Sequence, residues 1–137
     1  MKTIYAIGFT AVLFTSAAFA DLTPCDGFKI VVSNQLPDML LVTKVSLDGA
    51  EITPSHIDKI SSGSKETFSV INSANGRGMT GIIDLHTLSI PSKKVKIQFT
   101  LDNAVAVCSH TDTTQNQNND FPATASREIG AVHYTVG

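Results

Sequence analysis

Alternation, not helical periodicity, organises this chain. Val95, Ile97, Phe99 and Leu101 alternate with Lys96, Gln98 and Thr100. That two-residue period marks a strand with one face buried. Residues 28–32 alternate less strictly and predict the first strand. Residues 39–47 predict another, with Leu41, Val45 and Leu47 on one face. Asp48-Gly49 then predicts a tight hairpin turn into residues 50–53. Residues 54–62 read as a connection, and Ser62-Gly63-Ser64 launches a strand over 66–71. A turn-rich loop over 72–78 leads to a strand over 82–88, and Pro91-Ser92 breaks the chain. Leu101-Asp102 predicts a hairpin into 103–108. Residues 111–122 are polar, low in complexity and without apolar periodicity, the pattern of a solvated, mobile loop. Residues 129–136 form the last predicted strand. About eight short strands at near-regular spacing predict an all-β single domain, an antiparallel β-sandwich or a jelly-roll-like barrel.

The first twenty residues stand apart. Lys2 precedes an uncharged apolar run over 4–14, and Ala18-Phe19-Ala20 closes it. These are the three parts of a cleavable export signal over 1–20. The run is shorter than the roughly 20 residues a membrane-spanning helix needs. No second run follows, so the mature chain has no expected transmembrane segment, and no Cys at the cleavage site offers a lipid anchor. The expected mature domain is 21–137, enough chain for one core. Export changes the reading of the only two cysteines, Cys25 and Cys108. In an oxidising compartment they are expected to pair. Closing so long a loop is worth about 4–5 kcal/mol in the chain-entropy treatment. No C-x-x-C pattern points to redox chemistry.

The mature segment carries nine basic and twelve acidic side chains. This mild acidity gives no electrostatic reason to bind nucleic acid. Its aromatic set is small: Phe28, Phe68, Phe99, Phe121 and Tyr134, with no Trp. A sugar-stacking face is therefore not expected.

Candidate chemistry is sparse. Residues 76–81 match G-x-G-x-x-G, but a dinucleotide site needs that motif to open a helix, and Ile82-Ile83-Asp84-Leu85 reads as strand. Turn glycines with positive φ are the expected reading. His56, His86, His110 and His133 show no metal-ligand spacing, and no G-x-S-x-G elbow is present. Asp112, Thr114, Asn116, Asn118 and Asp120 place oxygens at alternate positions, a pattern that could attract Ca²⁺. They lack the Gly and final Glu of an EF-hand. Lys93, Lys94 and Lys96 read as the solvated face of an edge strand. The sequence thus predicts no catalytic residues, no metal and no cofactor, and it leans away from an enzyme. It points to an exported binding module acting in the periplasm or outside the cell on an unidentified protein or lipid partner. The expected contact loops are 72–81 and 111–122. Arg77 suits a carboxylate or phosphate. Phe121, the only mature aromatic outside a predicted strand, suits an exposed anchor.

One resemblance bears on these expectations. Ile30-Val31-Val32-Ser33-Asn34, Gly49, Pro54, Ile60-Ser61-Ser62-Gly63-Ser64, Phe68 and the glycines up to Gly81 follow one another in a succession similar to that of the aegerolysin-type proteins. It spans about half of the mature chain. It implies a small β-sandwich and, as an alternative function, binding to membrane lipid. A small secreted enzyme is a further alternative. No site residue is carried over, and the chain differs from that family in having no Trp and in carrying an export signal.

Overall fold

The structure is a computed structural model that describes residues 22–74, 77–104 and 106–137. The expected export signal over 1–20, its expected cleavage point and Gly76 lie outside the described residues. Ten strands follow one another: β1 (Lys29–Asn34), β2 (Leu40–Asp48), β3 (Glu51–Thr53), β4 (Lys59–Ile60), β5 (Lys65–Ile71), β6 (Met79–Thr87), β7 (Lys94–Asn103), β8 (Cys108–Asp112), β9 (Ala123–Glu128) and β10 (Ala131–Val136). Among the described residues one 3₁₀ turn, Asn116–Asn118, lies between β8 and β9. The strands form two five-stranded sheets, β3-β5-β1-β10-β9 (sheet I) and β4-β2-β6-β7-β8 (sheet II). All pairings are antiparallel except that between β1 and β10. The expected β-sandwich is the fold.

Alternation builds the core between the sheets. On β7, Val95, Ile97, Phe99 and Leu101 are buried, and Ile83 and Leu85 of β6 lie beside them. Ile30 and Val32 of β1, Phe68 and Val70 of β5, and Val132, Tyr134 and Val136 of β10 answer from sheet I. Gly81 on β6 makes room for the Phe99 ring, since a Cβ there would lie 2.1 Å from the ring. Neither Gly78 nor Gly81 has a positive φ. Among the described glycines of this motif, it is ring packing at Gly81, not left-handed backbone, that demands glycine.

The structure corrects the sequence reading in four places. First, β2 does not alternate throughout. A register shift between Val42 and Lys44 changes its parity. Leu40 and Val42 face the core before it, and Val45 and Leu47 pack on the core after it, while Leu41 faces outward beside His86. A bulge that inserts one residue has this effect and leaves no mark in composition. Second, Asp48-Gly49 is not a hairpin turn. β2 belongs to sheet II, and β3 pairs with β5 in sheet I. Gly49, at φ +92°, carries the chain across, and a Cβ there would lie 2.7 Å from the Gly78 carbonyl oxygen.

Third, β4 and β9 are additional strands, β4 in the segment read as a connection and β9 in residues to which the sequence reading gave no element. β4 has two residues, and only Ala123 and Ala125 of β9 turn inward. β4 offers a single large apolar residue, Ile60, and β9 offers none, too little to signal a strand. The β7–β8 hairpin exists, but β8 begins where the sequence predicted it to end. Fourth, Lys94 and Lys96 do not lie on an open edge: β8 pairs with β7 only over residues 99–103, and residues 113–120 cover the stretch 94–98.

Two buried groups fix the ends of the sandwich. Cys25 and Cys108 form a disulfide across a sequence separation of 83. It ties the segment before sheet I to the first residue of β8 in sheet II. At the opposite end, the fully buried Asn34 side chain donates to the carbonyls of Asp38 (2.8 Å) and Ile60 (3.0 Å). It also accepts from the Leu36 N–H (3.0 Å). Every hydrogen-bonding function of that amide but one lone pair is used, as burial requires.

Candidate functional site

The two loops singled out from sequence take different forms. The base of the first is fixed. Buried Asn103 accepts from the Cys25 N–H (2.8 Å) and donates to Ser73 Oγ (3.1 Å) and the Ala74 carbonyl (3.0 Å). Asp26 accepts from the Ser73 N–H, the Ser73 hydroxyl and the Thr23 hydroxyl. The Ser73 bonds hold its carboxyl below the usual carboxylate range. Arg77 is exposed beyond this anchor.

The second loop is not a free connection. It runs along β7 where β8 has ended, and its side chains replace a strand. The Thr113 N–H donates to the Gln98 carbonyl (2.9 Å), and Thr114 Oγ1 accepts from the Gln98 N–H (3.0 Å). The Asn119 amide accepts from the Lys96 N–H (2.8 Å) and donates to the Lys96 carbonyl (3.1 Å). Asp120 accepts from the Lys94 N–H through Oδ2 (2.7 Å) and donates its own N–H to the Lys94 carbonyl (3.0 Å). A primary amide has the donor and acceptor of a peptide group, so Asn119 mimics one rung of a ladder. Asn116 makes the same reciprocal pair with Ala123. Of the oxygens that sequence offered to Ca²⁺, those of Asp112, Thr114, Asn116 and Asp120 are engaged by backbone N–H groups. Among the described residues no group of three or more His, Cys, Asp or Glu could hold a metal.

Phe121 is not an exposed anchor. It is half-buried and packs against the core. The bonds to Lys94 and the immediate entry into β9, whose Ala123 is buried, draw its ring inward. Nor do Phe121 and Arg77 share a site. Arg77 lies near Met79, which pairs with Leu101, whereas Phe121 follows Asp120 beside Lys94. Lys94 and Leu101 stand about 23 Å apart at strand geometry.

By zipping onto β7, the second loop raises a wall beside the outer face of sheet II. Between that wall and β2 runs a groove of about 490 Å³. Its floor is set by register. Asp84 of β6 lies between Lys44 of β2 and Lys96 of β7, and His86 lies between Leu41 and Lys94. Thr43 lines the β2 side, where its hydroxyl donates to the Asp84 carbonyl (3.2 Å). Gln98, Gln115 and Asn118 complete the lining on the loop side. Lys96 Nζ stands 4.0 Å from Asp84 Oδ1, a solvent-accessible pair worth little to stability. His86 Nδ1 is 3.0 Å from the Thr87 carbonyl oxygen. A carbonyl only accepts, so Nδ1 carries the proton and Nε2 of the neutral ring is the bare nitrogen. In the sequence, Lys94, Lys96 and Gln98 read as a solvated strand face, and nothing gave Asp84 and His86 a part in a site. The only signal was that residues of this polarity alternate with core residues on both β6 and β7.

A second polar cluster is buried. His110 of β8, 4% exposed, sits among the rings of Phe28, Phe99 and Tyr134. Its Nε2 is 2.9 Å from the Tyr134 hydroxyl, which donates to Asp112 Oδ1 at 3.2 Å. His110 Nε2 therefore donates to Tyr134, and Nδ1 has no hydrogen-bond partner among the described residues. Burial pushes the His110 imidazole below its usual value, with nearby Arg127 acting in the same sense and Asp112 against it. Burial, with Asp112 beside it, pushes the Tyr134 phenol up. This cluster joins the two sheets through their core.

The disulfide end carries a different surface. Val107 and Ile129, 61% and 104% exposed, flank a shallow depression with Pro24. Leu22, 55% exposed, lies two residues away along the chain. No helix among the described residues is long and apolar enough to cross a membrane. No protein-family model matches the chain, and no curated protein matches it.

Proposed function

We propose that the chain is an exported, non-enzymatic binding module whose ligand seat is the groove across sheet II. The observation that carries the reading is the groove itself. It is a concavity within the roughly 300–1,000 Å³ typical of small-molecule sites. Both its floor and its wall are held by backbone hydrogen bonds, so little ordering cost remains for binding. The Cys25–Cys108 disulfide is compatible with an oxidising periplasmic or extracellular location. The test has two parts. Fractionation with N-terminal mass analysis should find the protein outside the cytoplasm beginning at Asp21. A small-molecule screen read by backbone amide shifts should give perturbations clustered at Asp84, Lys96 and Asn119. Turnover of a hydrolase substrate panel would overturn the non-enzymatic reading.

A second reading is membrane-lipid binding, as the aegerolysin-type resemblance implies. One specific observation favours it: Leu22, Val107 and Ile129, from three separate segments, are exposed at one end. Flotation with liposomes tests it. Loss of flotation in an Ile129→Asp, Val107→Asp variant would support this reading, and no flotation of the native chain would end it.

A further inference from the structure

We infer that the groove seats a ligand through one anionic group, a carboxylate or a phosphate, with neutral hydrogen-bonding groups beside it. This rests on the groove being the ligand seat. Its lining holds two lysines and one imidazole against a single carboxylate. Asp84 offsets Lys96, 4.0 Å away. Lys94 has no ion-pair partner among the described residues, although its backbone N–H is held by Asp120. It therefore presents an uncompensated ammonium next to His86, its cross-strand neighbour.

Position decides orientation. Asp84 repels an anion from the Lys96 side of the floor, so the charged group lies toward Lys94 and His86. His86 adds no negative charge at that end, and Nε2 is the nitrogen its tautomer leaves free for the ligand. The rest of the ligand then extends along the wall. There the side-chain amides of Gln98 and Asn118 line the groove with no hydrogen-bond partner among the described residues. Those amides suit hydroxyl or carbonyl groups, each having both a donor and an acceptor. Among the described residues the groove lining contains no Phe, Tyr or Trp, so a broad stacking face does not select the ligand and the charge must.

The experiment uses the full mature chain, labelled for amide shifts, at low ionic strength. The probes are galacturonate, galactose and inorganic phosphate. Galacturonate should shift the amides of Lys94, Lys96 and Asn119, and galactose should not. Phosphate binding at the same amides with higher affinity would assign the anion as phosphate, and the reverse order would assign it as carboxylate. Lys94→Gln should weaken the anion about tenfold or more, the loss expected for one charge-assisted hydrogen bond. Lys29→Gln on sheet I should change nothing. Equal shifts with galactose and galacturonate, untouched by Lys94→Gln, would overturn the anion assignment and leave the groove as a seat. Anion-induced shifts confined to the neighbourhood of Arg77 would overturn both.

Discussion

Two loops of similar composition meet opposite fates. Residues 72–78 and 111–122 are both rich in Asn, Ser, Thr or Gly. The first is pinned at its base by Asn103 and Asp26, and Arg77 projects from it. The second is laid flat against β7, its Thr, Asn and Asp side chains standing in for a strand. Composition is the same kind in both. What differs is the partner: the first loop meets single buried side chains, and the second meets a row of unpaired backbone groups beyond the end of β8. Covering that row protects sheet II from edge-to-edge association, and it also builds the groove wall.

The strongest way to break this contrast is to remove the disulfide. Cys25→Ser with Cys108→Ser should lower stability by about 2–5 kcal/mol, read by urea unfolding. Amide exchange should then rise first around Cys25, Ser73 and Asn103, while Lys94 and Lys96 stay protected. Equal loss of protection at both ends would show that the two regions are not energetically separate. Next in size is Asn103→Ala, which leaves the buried Cys25 N–H without an acceptor and costs about 1–3 kcal/mol. It should free residues 72–78 and leave the groove unchanged. Asn119→Ala should cost less, about 1 kcal/mol, because its site is partly exposed. Its signature is local, with faster exchange at the Lys96 N–H and a widened groove. Asn119→Asp keeps the acceptor but loses the donor, so it should retain part of that protection.

The same contrast explains what could be read in advance. β7 was legible because Val95, Ile97, Phe99 and Leu101 all face one core without interruption. β2 misled because a bulge inverts parity without altering composition. β9 was invisible because a strand at the side of a sandwich needs only Ala123 and Ala125 inward. The wall was unreadable for a deeper reason. Bonds from Asn119 and Thr114 side chains to backbone impose no period on the sequence, and low complexity then looks like disorder. The groove was hidden because Asp84, His86 and Lys94 become neighbours only through register. The disulfide needed no geometry, as two cysteines in a chain expected to be exported leave one pairing.

The smallest expected effect is also the most discriminating, because the two loops should loosen at different acidities. The second loop leaves β8 at Asp112, whose Oδ1 accepts from both the Tyr134 hydroxyl and the Thr114 N–H. Tyr134 in turn accepts from buried His110. The His110 imidazole is held below its usual 6.5 by burial, so the folded state resists taking its proton. The unfolded chain protonates first as pH falls below 6.5, and stability drops from there until the folded-state value is passed. A proton on Nδ1 would have no acceptor in place, so the disturbance should begin in this cluster and reach Thr114. The first loop depends on Asp26, whose carboxyl is held below 3.8 by its bonds from Ser73. Its contribution persists through mild acid and fades only as pH falls below 3.8. Amide exchange followed from pH 7 to pH 3 should therefore show Thr113 and Thr114 losing protection before Ser73 does. His110→Phe should remove the early phase and leave the late one. Loss of protection at Ser73 before Thr114 would mean that Asp26, rather than His110, sets the acid response of the whole domain.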